Sequence, residues 1–359
     1  MKLYEGCKLI DRTLRIRQQL AAAGTKSLRL CIDGICFGSI MGSTNYSVGW
    51  NVMGISIVFS NVLMMIAYLG CGLALVKGHK AEPGHAKSFS GFLLYVCCPC
   101  MIISAFQSME YSMENIKRAV LFFFVSMMVQ LLFFFALFLL FRKKYTDAKY
   151  RILTIGAILG NVGFFGLPVA TSLFPNEPIV ACYSTLYVTS MNILVFTVGI
   201  FMITNDKKHI APKAALLNPP ILSVVAAVPL YLLQIHFPTQ IGTAIALLGK
   251  MTTPICMLIL GMRLAAVSLK KVFTRPFSYA VCLFKLIIFP LFAYLCVYFL
   301  PCIDSTFKIT LFVLSAAPSA SVILSLAELH ECEQELSANV VLITTLLSLI
   351  TIPLLLLIV

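Results

Sequence analysis

The sequence predicts an all-α polytopic membrane protein: ten transmembrane helices in two inverted five-helix repeats, with broken, crossing fourth and ninth helices. Three observations predict it. Of 359 residues, 60% are hydrophobic and only 11% charged, with a mean hydropathy of +0.96. A soluble domain carries about 25% charged residues, so this chain cannot cover a water-facing surface. Apolar runs of about 20 residues, enough to cross about 30 Å of hydrocarbon, recur down its length. Finally, two of those runs are interrupted by Gly and Pro at corresponding places in the two halves. A membrane β-barrel would instead alternate apolar and polar residues in strands of about ten, and that pattern is absent.

Taken in order, residues 1–52 differ from the rest, with seven Lys or Arg, three acids and no full span. Met53 then opens a clean apolar run. The expectation is a natural start at Met53, leaving 1–52 as an N-terminal extension outside the fold; a targeting segment is the alternative. Ten spans follow, at roughly 54–76, 88–106, 118–141, 151–174, 179–203, 216–235, 240–262, 276–300, 307–328 and 336–358. They divide into a first repeat (53–203), a cytoplasmic linker (204–217) and a second repeat (218–359).

Loop charge orients the spans. Lys77, Lys80 and Lys87 follow the first; Arg142, Lys143, Lys144, Lys149 and Arg151 follow the third. Lys207, Lys208 and Lys213 follow the fifth; Lys270, Lys271 and Arg275 follow the seventh. The positive-inside rule makes these loops cytoplasmic and both termini extracytoplasmic. The net charge of +13 is therefore topological and does not point to nucleic acid.

The fourth span carries the strongest local signal. Arg151 to Leu159 reads as helix, and then Gly160, Asn161, Gly163, Gly166 and Pro168 fall within nine residues. Proline removes a backbone hydrogen bond and clashes with the preceding turn. In hydrocarbon every peptide group must be satisfied, so a broken helix has to face protein or a wet cavity. Pro318 breaks the ninth span in S-A-A-P-S-A-S, 150 positions after Pro168. Pro99 and Pro254, inside spans two and seven, are 155 apart, as are the lone polar residues Gln130 and Lys285. Because each half has an odd number of spans, the second enters the membrane the opposite way round.

These motifs carry a family resemblance. L-L-Y-V-C-C-P in span two, G-N-V-G-F-F-G-L-P in span four, N-P-P at Asn218–Pro220, M-T-T-P-I-C-M-L-I-L-G-M-R-L-A in span seven, K-L-I-I-F-P in span eight, and S-A-A-P-S-A-S followed by T-I-P-L-L-L together resemble the auxin efflux carrier family, bacterial members in particular. The resemblance covers nearly all of the chain beyond residue 52. It implies a scaffold of spans one, two, six and seven, with Pro99 and Pro254 as scaffold prolines, and a moving domain of the others. It implies elevator-type alternating access, with substrate beside the crossing of spans four and nine. Family substrates are small organic anions, such as auxin in plants and dicarboxylates in some bacteria.

Candidate residues follow. Gly160, Gly166, Pro168, Ala317 and Pro318 are expected to shape the crossing. Asn161 and Gly163 are placed at the substrate, although the Asn161 amide could equally replace a missing backbone partner. Ser319 and Ser321 could bind substrate or cap the half-helix. Val322 follows where family members often have a larger polar residue. Lys285 lies deep in span eight, where a lone charge costs at least about 2.5–3.5 kcal/mol. It either attracts the anion or satisfies carbonyls at the break. The thirteen cysteines have no zinc-ribbon spacing, and His330 opens H-E-C-E-Q rather than H-E-x-x-H, so neither a metal nor a cofactor is expected. The expected partners are a small organic anion, the lipid bilayer of the cell membrane and a second copy in a homodimer. No nucleophile or phosphate-loop motif argues for an enzyme. The expected function is a secondary transporter, an exporter by energetics, of a small organic anion such as a carboxylate. The alternatives are a sodium- or proton-coupled organic-anion importer and a non-transporting membrane sensor.

Overall fold

In a computed structural model the described residues are 46–204, 217, 219–266, 275–301 and 303–357. Contacts divide the chain into Met1–Met53 and Gly54–Val359, and the helical fold is that of the second unit. The expected linker (204–217) and the loop bearing Lys270 and Lys271 lie almost wholly outside the described residues, as do residues 1–45 of the N-terminal extension.

The elements are α1 (Tyr46–Lys77), α2 (Ala86–Gln107), α3 (Met113–Phe141), α4a (Ala148–Ile158) and α4b (Val162–Leu173), α5 (Ile179–Thr204), α6 (Pro219–Leu232), α7 (Thr239–Ala265), α8 (Pro276–Tyr298), α9a (Ser305–Ala316) and α9b (Val322–Leu329), and α10 (Gln334–Leu355). By length and composition, seven of them can cross a membrane: α1, α2, α3, α5, α7, α8 and α10. The shorter apolar helices α4b, α6 and α9a fall in the remaining expected spans. This is a multi-pass membrane protein. The helices α4 and α9 are short because each is interrupted, as their Gly and Pro content requires.

Contacts at the helix ends define two faces. At one, Gln107 donates to the Ile235 carbonyl at 2.8 Å, Arg118 pairs with Asp304 at 3.2 Å, and Thr306 donates to Glu177 at 3.2 Å. At the other, Tyr150 and Phe277 meet edge to face at 5.3 Å, and Arg275 pairs with Glu335. The second face carries the loop Arg142–Lys149 and is called the basic face. Helix ends alternate between the faces in chain order, which accords with an inverted repeat.

Proline leaves a recurrent mark. The five-residue π turns Leu93–Cys97, Val162–Gly166 and Phe284–Ile288 each end two residues before a proline: Pro99, Pro168 and Pro290. The ring displaces the carbonyl four residues back, and the helix absorbs the clash by widening one turn. Pro254 acts differently, starting a new segment, Thr252–Ala266, after a turn at Met251. Lys250 is exposed just before that turn.

Burial separates lipid-facing helices from central ones. Only 17% of α1's span is buried, against 61% of α5's. At the centre, Phe122 of α3 stacks on Tyr183 of α5 at 4.3 Å, and Phe307 of α9a meets the Phe122 ring edge to face at 4.7 Å. Gln130 of α3 donates to Ser190 of α5 at 2.8 Å, which joins these helices through a buried polar contact. Helices α1 and α7 approach backbone to backbone. A Cβ on Gly72 would strike the Leu258 carbonyl, and one on Gly261 would strike that of Leu69. Only glycine permits so close an approach.

Candidate functional site

The two breaks meet. Helix α4a stops when Leu159 turns extended (φ −75°, ψ 107°), and α9a stops when Ala317 does the same (φ −56°, ψ 142°). Gly160 and Ser319 then pair as an isolated antiparallel bridge. The Asn161 N–H donates to the Pro318 carbonyl at 2.6 Å, and the Ala320 N–H donates to the Leu159 carbonyl at 2.9 Å. Two peptide groups freed by one break thus satisfy two freed by the other, which is what hydrocarbon demands.

Lys285 of α8 takes the carbonyl ends of the broken helices. It is 0% exposed. Its Nζ donates to Ser315 O of α9a at 3.2 Å and to Ile158 O of α4a at 3.4 Å, and it lies 4.7 Å from the Phe289 ring centroid. Each helix C-terminus carries about half a negative charge, so two of them match one ammonium. Gly160 makes room for it: a Cβ there would stand 3.0 Å from Nζ. Ser319 is equally buried, donating through Oγ to the Gly156 carbonyl at 2.7 Å; its N–H is held by Thr344 Oγ1 at 3.1 Å.

Beside the crossing is a cavity of about 350 Å³. Asn161, Gly163 and Ser321 line it, and so does Gly160. Lys285 and Ser319 do not line it. The sequence offered each as a substrate contact with a structural role as the alternative; here both donate to carbonyls freed by the breaks. Gly166, Pro168, Ala317 and Pro318 also stay out of the lining. A Cβ on Gly166 would meet the Leu314 side chain at 3.2 Å and the Ala317 Cβ at 3.4 Å, so this glycine lets the two broken helices pack closely. Val162, Gly163, Ser321 and Val322, at the amide ends of α4b and α9b, line the cavity. Cys98 of α2 and Cys256 of α7 also line it, and the Asn161 side chain lies against the Cys256 thiol.

Five polar lining residues were not singled out from sequence: Arg263, Asn192, Thr185, Ser90 and Ser325. Asn192 and Thr185 lie on α5 among Ser184, Thr189, Ser190 and Thr197, so nothing in that unbroken helix set them apart. Arg263 stands inside the G-M-R-L-A string of span seven, and a charge within an apolar run was the available signal.

A helical multi-pass protein whose two interrupted helices cross beside a cavity has the architecture of a secondary transporter. The chain belongs to the membrane transport protein family, whose model matches residues 57–356; this is the family that the sequence motifs indicated. It is 28% identical over 300 residues to an uncharacterized transporter of Methanocaldococcus jannaschii, covering 82% of this chain and 94% of that protein. It is also 28% identical over 217 residues to an uncharacterized transporter of Methanothermobacter thermautotrophicus, covering 59% of this chain and 69% of that one.

Proposed function

We propose that the chain exports a small organic anion, a carboxylate in the first instance, by an elevator-type movement of the crossing against α1, α2, α6 and α7. One observation carries the reading. Lys285 consumes the negative ends of α4a and α9a, so the helix ends left facing the cavity are the positive ones of α4b and α9b. Half-helix amide ends aimed into a cavity favour anions. The amides of Asn161 and Asn192 add donors, and Arg263 adds a full charge. Energetics supply the direction. With the inside negative, each exported negative charge gains about 2.3 kcal/mol per 100 mV, so export needs no coupled cation. The printed names of both relatives, which call them transporters, support the coarser part of this reading.

The test is flux of radiolabelled benzoate, phenylacetate and malonate in proteoliposomes, with and without an imposed potential. The expected result is electrogenic flux of at least one of them, with Asn161→Ala raising half-saturation about tenfold. Uptake that requires sodium and runs against the potential would overturn export.

A further inference from the structure

The cavity is asymmetric in charge, and the repeat shows how. Its lining extends from the crossing toward the basic face, reaching Ser90 in the first turns of α2 and Arg263 near the end of α7. Arg263 stands three residues before the last residue of its segment, Ala266. It is seven residues, roughly 10 Å at 1.5 Å per residue, from Cys256 at the crossing. It is half-buried and makes no ion pair or hydrogen bond among the described residues. An arginine whose planar fork of donors is unengaged among the described residues, lining an otherwise largely apolar cavity, is suited to receive a carboxylate.

The paired prolines identify its counterpart. Arg263 is nine residues after Pro254, and Ser108 is nine residues after Pro99. Ser108 caps the far end of α2, at the face opposite the basic one, and its hydroxyl is spent on the Ala105 carbonyl at 3.0 Å. If alternate access exchanges the roles of the two repeats, the mouth on the second side has a neutral, self-satisfied serine where the basic side has a guanidinium.

We infer that Arg263 is the specificity-determining residue that captures the carboxylate at the basic-face mouth, and that Ser108 at the equivalent place makes capture weaker from the other face. This rests on the transport reading above. The protein is therefore a rectifier by affinity: the anion docks readily on the side it leaves and poorly on the side it reaches. A charge-assisted pair at a half-buried site changes affinity on the order of tenfold or more.

The experiment has a binding arm and a flux arm, using phenylacetate and benzoate as probes. In detergent, either anion raises the melting temperature of wild-type protein. Arg263→Gln shifts the half-maximal concentration upward at least tenfold, and Arg263→Lys recovers part of the loss. In proteoliposomes sorted by orientation, wild-type half-saturation is at least tenfold lower from the basic face. Arg263→Gln removes that difference by raising the basic-face value alone, and Ser108→Arg removes it by lowering the opposite one. Equal half-saturation from both faces in wild type, an Arg263→Gln effect of the same size on both faces, or no anion-dependent shift at all overturns the inference. Arg263-dependent binding without flux leaves the capture site standing and sinks the transport reading alone.

Discussion

Replacing Lys285 by methionine tests the electrostatics of the crossing most directly. Methionine matches the length of the lysine stem without its charge. The variant loses two hydrogen bonds, to Ile158 O and Ser315 O. Both carbonyls then stand unpaired in a buried site, at about 1–3 kcal/mol each. Against this, a buried ammonium no longer has to be accommodated, a relief of about 2.5–3.5 kcal/mol on insertion scales. The two terms nearly cancel, so Lys285→Met is expected to fold, with a melting temperature within a few degrees of wild type. Function behaves differently. Without the ammonium, about one full negative charge from two helix C-termini lies directly behind the anion site. At an effective dielectric constant of about 20 and roughly 8 Å, that repulsion is about 2 kcal/mol, or some thirtyfold in affinity. The assay is carboxylate binding by thermal shift, followed by proteoliposome flux. A variant that is folded and binds the same anions within twofold of wild type would refute the reasoning and reduce Lys285 to packing.

Two further outcomes follow from the same geometry. Gly160→Ala puts a Cβ 3.0 Å from Lys285 Nζ and 3.5 Å from the Ala317 carbonyl; it is expected to lower the melting temperature and slow flux at least tenfold, whereas Gly242→Ala, whose added Cβ meets nothing within 4 Å in an exposed helix, lowers neither. Asp304 both faces Arg118 at 3.2 Å and caps α9a by accepting from the Phe307 N–H at 2.7 Å. The ion pair is exposed and worth little, while the cap is worth about 1 kcal/mol. Asp304→Asn, which keeps the cap, should therefore be close to wild type in thermal unfolding, and Asp304→Ala measurably weaker; equal losses in both would assign the effect to the ion pair.

The spans and both breaks were legible because hydrocarbon imposes simple rules. Long apolar runs must cross, and Gly or Pro inside them must answer for the lost hydrogen bonds. The meeting of Gly160 with Ser319 was legible only as a crossing, since backbone pairing leaves no side-chain signature. Lys285 was visible as a buried charge, but the sequence cannot distinguish a ligand from a carbonyl as its partner, because both present the same oxygen. Arg263 was overlooked for a related reason. Near a helix end, an arginine that lines a cavity and one that snorkels to the headgroups look identical, and only the helices packed around it, α2 among them, decide between them. Proline was read correctly as a disturbance, yet its form differed by site, a π turn at Pro99, Pro168 and Pro290 and a fresh start at Pro254, because the outcome depends on what packs against the disturbed turn.

The bridge between Gly160 and Ser319 has one more consequence. Its two hydrogen bonds belong to the main chain, so they form a stitch that survives changes of side chain at Leu159 or Ala320. Pulling the two interrupted helices apart would strand four peptide groups in oil. Whatever path the cargo takes, these helices must therefore ride as a single piece, and any push delivered to one is felt by the other.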